Sequence, residues 1–155
     1  GNLPPTAFGG FMPRQLKKCS QNLLENMAPK AFGAINPDAF GGFKPKKLNG
    51  LPDKLIGQID DDQFGELKPK LIGKMDEGLI SALKPQALAG LTDKQGKKMT
   101  QVTASEFDPA QIRSIQPEAL AAMNTQALEL LEGNLSASQR NELEKLVGDI
   151  GALFG

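Results

Sequence analysis

The chain of 155 residues contains no histidine, no tryptophan and no tyrosine, and a single cysteine. Each absence removes a class of function. Without histidine, the commonest general base and the commonest metal ligand are missing. One cysteine, Cys19, excludes an internal disulfide framework and a thiolate zinc site. No apolar run approaches the roughly 18 residues that cross a bilayer, and no signal peptide is visible. The formal net charge is zero, so strong attraction to nucleic acid or to an anionic membrane is not expected. Valine and threonine are scarce, with two and five copies, which disfavours strands.

What the chain does have is a phased repeat. An eight-residue frame opened at Pro4 runs without insertion to Leu131, giving sixteen octads. The eighth slot is apolar in all sixteen, from Phe11 and Cys19 to Met123 and Leu131. The fifth slot is large and apolar in fourteen; the exceptions are Gly96 and Ala104, in octads 12 and 13. All eleven prolines fall in slots 1 and 2, and ten of the seventeen glycines in slots 6 and 7. Seven of the eight phenylalanines sit in slots 5 and 8. Leu3 fits slot 8 of a preceding octad, as in a longer repeat array.

Eight residues cannot repeat along one long helix. At 100° per residue the apolar stripe would drift by about 80° per octad, and proline would interrupt the hydrogen-bond ladder each time. In a strand, slots 5 and 8 would point to opposite faces. Short helices satisfy every slot. Proline in slot 2 is suited to the first helical position, and the residue before it is pushed out of the α region. Slot 1 is then the N-cap, well filled by Ser20, Asn36, Asp60, Asp76, Thr92, Thr100, Asp108 and Asn124. Slots 5 and 8 share one face, and small residues in slots 6 and 7, as in AFGGF at 7–11 and 39–43, let backbones approach. A helix this short is unstable alone, so it must bury its two apolar side chains against other octads. The expected fold is therefore all-α: a solenoid of about sixteen short-helix octads over residues 1–131. Three octads per superhelical turn is the working guess; a continuous solvent-facing row of slots 3, 4 and 7 would favour a protein partner, and a deep pocket beside Gly96 a ligand.

The frame fails after Leu131. Leu143, Leu146, Val147, Ile150, Leu153 and Phe154 follow helical spacing, and Ser136 with Gln139 forms a capping box. Residues 132–155 are read as an amphipathic helix that caps the open end of the stack.

The run DPAQIRSI, QPEALAAM, NTQALELL (108–131) resembles the Pro- and Leu-rich repeats of the mesothelin, stereocilin and otoancorin group. That resemblance implies a superhelical stack of short helices and an extracellular or cell-surface role in adhesion. This chain departs in its strict period and its Gly- and Phe-rich early octads, and no functional residue carries over.

Candidate sites are few. Gly96 and Ala104 leave two adjacent core positions nearly empty, so a groove beside Gly96, lined by Lys97 and Lys98, is a candidate ligand site, set against a kink filled by Val102 or Met99. DDDQFGE (60–66) gathers four carboxylates but lacks EF-hand spacing, and Asp60 has an N-cap role available. Cys19 beside Lys17 and Lys18 is either a small buried hydrophobe or an activated thiol. Asn134-Leu135-Ser136 is a glycosylation sequon, informative in a secreted chain. Residues 1–59 carry net charge +5 and residues 60–131 carry −3; Lys44, Lys46, Lys47 and Lys54 form the densest basic group. The expected function is a non-enzymatic scaffold or adhesion module, part of a longer surface protein. It would have no cofactor and no metal, with a protein partner or homotypic association. An acidic glycan is a further candidate partner, and nucleic acid is disfavoured. The alternative is a glycan- or small-ligand-binding module at Gly96.

Overall fold

The computed structural model describes residues 12–148. Octad 1, with Phe8 and Phe11, lies outside the described residues, as do Ile150, Leu153 and Phe154. Among the described residues there are fifteen α-helices, one 3-10 helix and no strand. In chain order the helices are α1 (Pro13–Lys18), α2 (Gln21–Glu25), α3 (Pro29–Gly33), the 3-10 helix Pro37–Gly42, α4 (Pro45–Asn49) and α5 (Asp53–Ile56). They continue with α6 (Asp61–Gly65), α7 (Pro69–Ile72), α8 (Glu77–Ala82), α9 (Pro85–Leu88) and α10 (Asp93–Gly96). The last are α11 (Gln101–Ser105), α12 (Pro109–Ser114), α13 (Pro117–Ala122), α14 (Thr125–Glu132) and α15 (Ala137–Val147).

The local chemistry follows the frame. All eight polar slot-1 residues expected to cap do so: each accepts a backbone N–H from its own first turn, for example Asp60 from Gln63 and Asn124 from Ala127, both at 2.8 Å. Where slot 1 is Lys, Ala or Gln, as before α3, α4, α7, α9 and α13, proline at the first helical position removes one of the orphan donors instead. At the other end the slot-8 N–H bonds back to the slot-5 carbonyl, as Leu67 does to Phe64 at 3.1 Å, tightening the last turn. Slot 8 and the next slot 1 are then both extended, such as Leu83 (φ −68°, ψ 132°) and Lys84 (φ −76°, ψ 150°). Those two residues make the corner.

Packing is between turns. Helices pack chiefly against the helix three octads on: α1 with the 3-10 helix, α6 with α9, α7 with α10, α9 with α12, α10 with α13 and α11 with α14. The working guess of three octads is thus close. The core runs the length of the stack, through fully buried Leu24, Phe40, Ile56, Phe64, Ile72, Leu88 and Leu120 in slot 5 and Ile35, Ile59, Leu67 and Ile115 in slot 8. Near its start Phe32, Phe40 and Phe43 form an aromatic knot, with ring centroids 5.3–6.4 Å apart in edge-on and tilted arrangements.

Slot 4 does not join slot 3 in a solvent-facing row. Slot 4 is buried in octads 4 and 5 and from Leu55 onwards, because a helix held between two turns of the stack presents a face about three residues wide, slots 4, 5 and 8. Its polar occupants are Gln63, Gln95, Thr103 and Gln111, each 1–2% exposed. The glutamines are fully employed. Gln95 Oε1 accepts the Thr92 N–H at 2.9 Å, and its Nε2 donates to Phe64 O at 2.8 Å and Leu67 O at 2.9 Å. Gln111 repeats this on Ile80 O and Leu83 O, and Gln63 on Gly33 O and Ile35 O. Lys47, in the same slot, donates from Nζ to Lys17 O (2.9 Å) and Cys19 O. Slot 4 therefore stitches each such octad to the one four before it, while the helices pack three apart. A turn closes between three and four octads.

The C-terminal segment continues the same device out of frame. Ser136 caps α15, and Gln139 Nε2 donates to Ile112 O and Ile115 O, both at 2.8 Å. Leu143 is fully buried and Val147 half-buried, but Leu146 is exposed. Gly148, at φ 84° and ψ −156°, ends the helix in a positive-φ conformation that glycine adopts without strain. Gln139 lies 24 residues beyond Ile115, whereas Gln111 lies 28 beyond Leu83. The last turn is thus shorter by half an octad, and α15 packs on α13 as one more layer.

Glycine in slot 7 sets the distance between turns. A Cβ at Gly90 would overlap the Asp61 carbonyl, with Asp61 Cα only 2.8 Å away. Gly90→Ala is expected to force α6 off α9 and to cost about 1–3 kcal/mol, read as a lowered urea midpoint. Gly133→Ala, with open space around it, is the control and should leave the midpoint nearly unchanged.

Candidate functional site

The first sequence candidate is the position of Gly96. It is buried at the end of α10, and a Cβ there would overlap Ala119 O of α13. The space left by the missing side chain is taken up by the neighbouring helix, which comes close because Ala119 faces it. Met99 is buried beside this position, while Val102 is 74% exposed. Lys97 and Lys98 both project into solvent. Ala104 is buried where α11 packs on α14.

Asp60, Asp61 and Asp62 are all exposed, and their carboxylates come within 4.8 Å of one another. Two are engaged locally: Asp60 Oδ1 accepts the Gln63 N–H and Asp61 Oδ1 the Asp62 N–H. Glu66 is exposed at the other end of the same octad. In the sequon, Asn134 is half-buried with its carbonyl bonded to Arg113, and the Ser136 hydroxyl caps α15.

Cys19 is half-buried at the end of α1. Burial pushes its thiol above the ordinary value, and the Lys47 ammonium pulls in the opposite direction without overcoming it. A raised thiol pKa leaves less thiolate at a given pH. Iodoacetamide at about pH 8 is therefore expected to alkylate native Cys19 more slowly than the urea-unfolded chain. Lys47→Ala should slow it further; equal native and unfolded rates would contradict the burial.

The outer surface is more ordered than these single sites. Slot 3 is exposed in every described octad, from Arg14 to Gln126. Contacts between successive turns bring octads 6, 9 and 12 beside one another. Asn49 of octad 6 donates to Lys74 O of octad 9 at 3.0 Å, and Gly73 lies against Lys98 O of octad 12. Octad 6 carries Lys44, Lys46 and Lys47; octad 9 carries Lys68, Lys70 and Lys74; octad 12 carries Lys94, Lys97 and Lys98. That is nine of the chain's eighteen basic residues, with one acid, Asp93, among them. The octads between tell the opposite story. Octads 5, 8 and 11 hold five acids and one base, and octads 7, 10 and 13 hold four acids and one base. Among the described residues the ion pairs are Arg140–Glu132 and Lys145–Glu142, so none of the nine lysines is paired there.

Beside octad 6 lies an open cavity of about 510 Å³, lined by Gln21, Glu25, Lys44, Lys46, Lys47 and Gly50 and walled mostly by apolar atoms. A shallow concavity of about 710 Å³ lies on α15 among Ser138, Asn141, Glu142, Glu144 and Lys145, all exposed. No helix among the described residues is long and apolar enough to cross a membrane. No protein-family model matches the chain, and no curated protein matches it either.

Proposed function

We propose that the chain is a non-enzymatic repeat scaffold that binds other macromolecules through its outer surface, in an extracellular or cell-surface adhesive assembly. The observation that carries this reading is the unbroken exposure of slot 3 along the described octads, from Arg14 to Gln126. The fold turns a periodic sequence into rows of side chains held at fixed spacing, which is how solenoids build extended binding surfaces. The buried polar side chains support it from the other direction: Gln63, Gln95, Thr103, Gln111 and Gln139 are all engaged by the backbone, which leaves them no part in chemistry. The resemblance of residues 108–131 to mesothelin-group repeats gives the lean towards an extracellular setting.

The test combines small-angle scattering with a pull-down on the full chain. The reading expects an elongated particle and retention of a macromolecule whose binding is lost when slot-3 residues are changed. A compact sphere that retains nothing would end it.

A further inference from the structure

We propose that the side of the solenoid formed by octads 6, 9 and 12 is a docking surface for an extended, acidic segment of another protein. This rests on the scaffold reading and names the surface and the partner chemistry.

The argument starts from charge. Nine lysines and one acid share octads 6, 9 and 12, eight of the lysines exposed and Lys47 half-buried with its ammonium on Lys17 O and Cys19 O, and the neighbouring octads 5, 8, 11 and 7, 10, 13 are net acidic. Lys46, Lys70 and Lys94 occupy slot 3 at intervals of 24 residues, slightly less than one turn apart, and all three are exposed. α7 packs on α10, and packed helices lie roughly 8–10 Å apart; octad 6 meets octad 9 through the Asn49–Lys74 hydrogen bond, so the ammonium rows follow one another at about that spacing. The Debye length in physiological salt is also about 8 Å, so neighbouring rows reinforce one another. An extended peptide rises about 3.3 Å per residue and meets a new row about every third residue.

The choice of partner follows from what accompanies the lysines. This side has no arginine and no exposed aromatic residue. Arginine's planar fork is the group suited to bidentate phosphate recognition, and aromatic faces are what stack single-stranded bases. Neither is present, and an ammonium group is a point charge for any anion, so the apolar wall beside the lysines decides the class of partner. The apolar-walled cavity between Gln21, Lys46 and Lys47, with Glu25 as its one acid, adds a place for a hydrophobic side chain. A polypeptide carries carboxylates and apolar groups together; a sulfated glycan carries only the charge.

The experiment titrates the full chain with a fluorescent Asp/Glu-rich peptide of about 12 residues containing one leucine, alongside a heparin oligosaccharide and single-stranded DNA of matched charge. Three samples are compared: the wild type, the triple variant Lys46→Glu/Lys70→Glu/Lys94→Glu, and the control Lys30→Glu/Lys54→Glu on another side. All five positions are exposed, and circular dichroism checks that folding is retained. The expected result is peptide binding that weakens with added salt, falls roughly tenfold or more in the triple variant and changes less than about twofold in the control. Tighter binding of heparin or DNA than of the peptide overturns the proposal. So does equal peptide binding by the triple variant and the control, or self-association of the wild type that the triple variant loses. If the pull-down partners of the wild type are all kept by the triple variant, this surface is refuted while the scaffold reading stands.

Discussion

Phe40→Ala lowers stability by about 3–5 kcal/mol, the range for emptying a fully buried phenylalanine site. Phe40 is 0% exposed and touches Phe32 and Phe43 edge-on or close to it, at 5.8 and 5.3 Å between ring centres. Removing it takes away both the transfer free energy and two aromatic contacts worth about 0.5–1.5 kcal/mol each. The surroundings cannot collapse into the gap. Phe40 sits in a 3-10 helix packed between α1 and α6, and Gly42 of that helix already touches the backbone of Pro13. For a chain of this length each kcal/mol moves the melting temperature by about 2–4 °C, so a fall of roughly 10 °C is the expected reading. Phe40→Leu keeps most of the volume and should lose less than half as much. A loss under about 1 kcal/mol for Phe40→Ala would mean that the aromatic knot is not packed as described.

The second large effect concerns a residue that composition marks as polar. Gln95→Leu is nearly isosteric, yet it strips the hydrogen bonds of the Thr92 N–H and the Leu67 carbonyl. Among the described residues Leu67 O has no other partner. Two groups deprived of partners cost about 1–3 kcal/mol each, less the gain from added apolar surface, so a net loss of about 2–3 kcal/mol is expected in urea unfolding. Gln95→Glu is expected to be worse at neutral pH, since a carboxylate would replace two donors against two carbonyls. Loss in the Leu variant alongside an unharmed Glu variant would contradict the hydrogen-bond account. Gln86→Leu, at an exposed slot-3 position of α9, supplies the control and should change little.

Much of this architecture is legible in the sequence because proline and the N-cap residues mark the start of each octad independently of the apolar pattern. Asp60, Thr92 and Asn124 cap where their spacing says they must, and slots 5 and 8 pair on one face by helical geometry alone. Slot 4 was not legible in the same way. Glutamine reads as a surface residue, and nothing local says that Gln63 or Gln95 faces carbonyls 28 or more residues away. A signal exists all the same: Asp60–Gln63, Thr92–Gln95 and Asp108–Gln111 repeat the spacing of Ser136–Gln139. At Gly96 the missing side chain reads as empty space, but only the path of α13 decides whether such a space exists. Charge sorting was hidden for a related reason. Windows along the chain average octads that face different sides, so residues 60–131 read as net acidic while contributing six of the nine lysines of the basic side.

The slot-4 stitches also impose an order on synthesis. The Leu67 carbonyl leaves the ribosome 28 residues before Gln95, and the Leu83 carbonyl waits equally long for Gln111. At about 5–20 residues per second that interval is a few seconds, during which water must hold the carbonyl's place. A nascent array of this kind always trails about one unfinished coil behind its growing end.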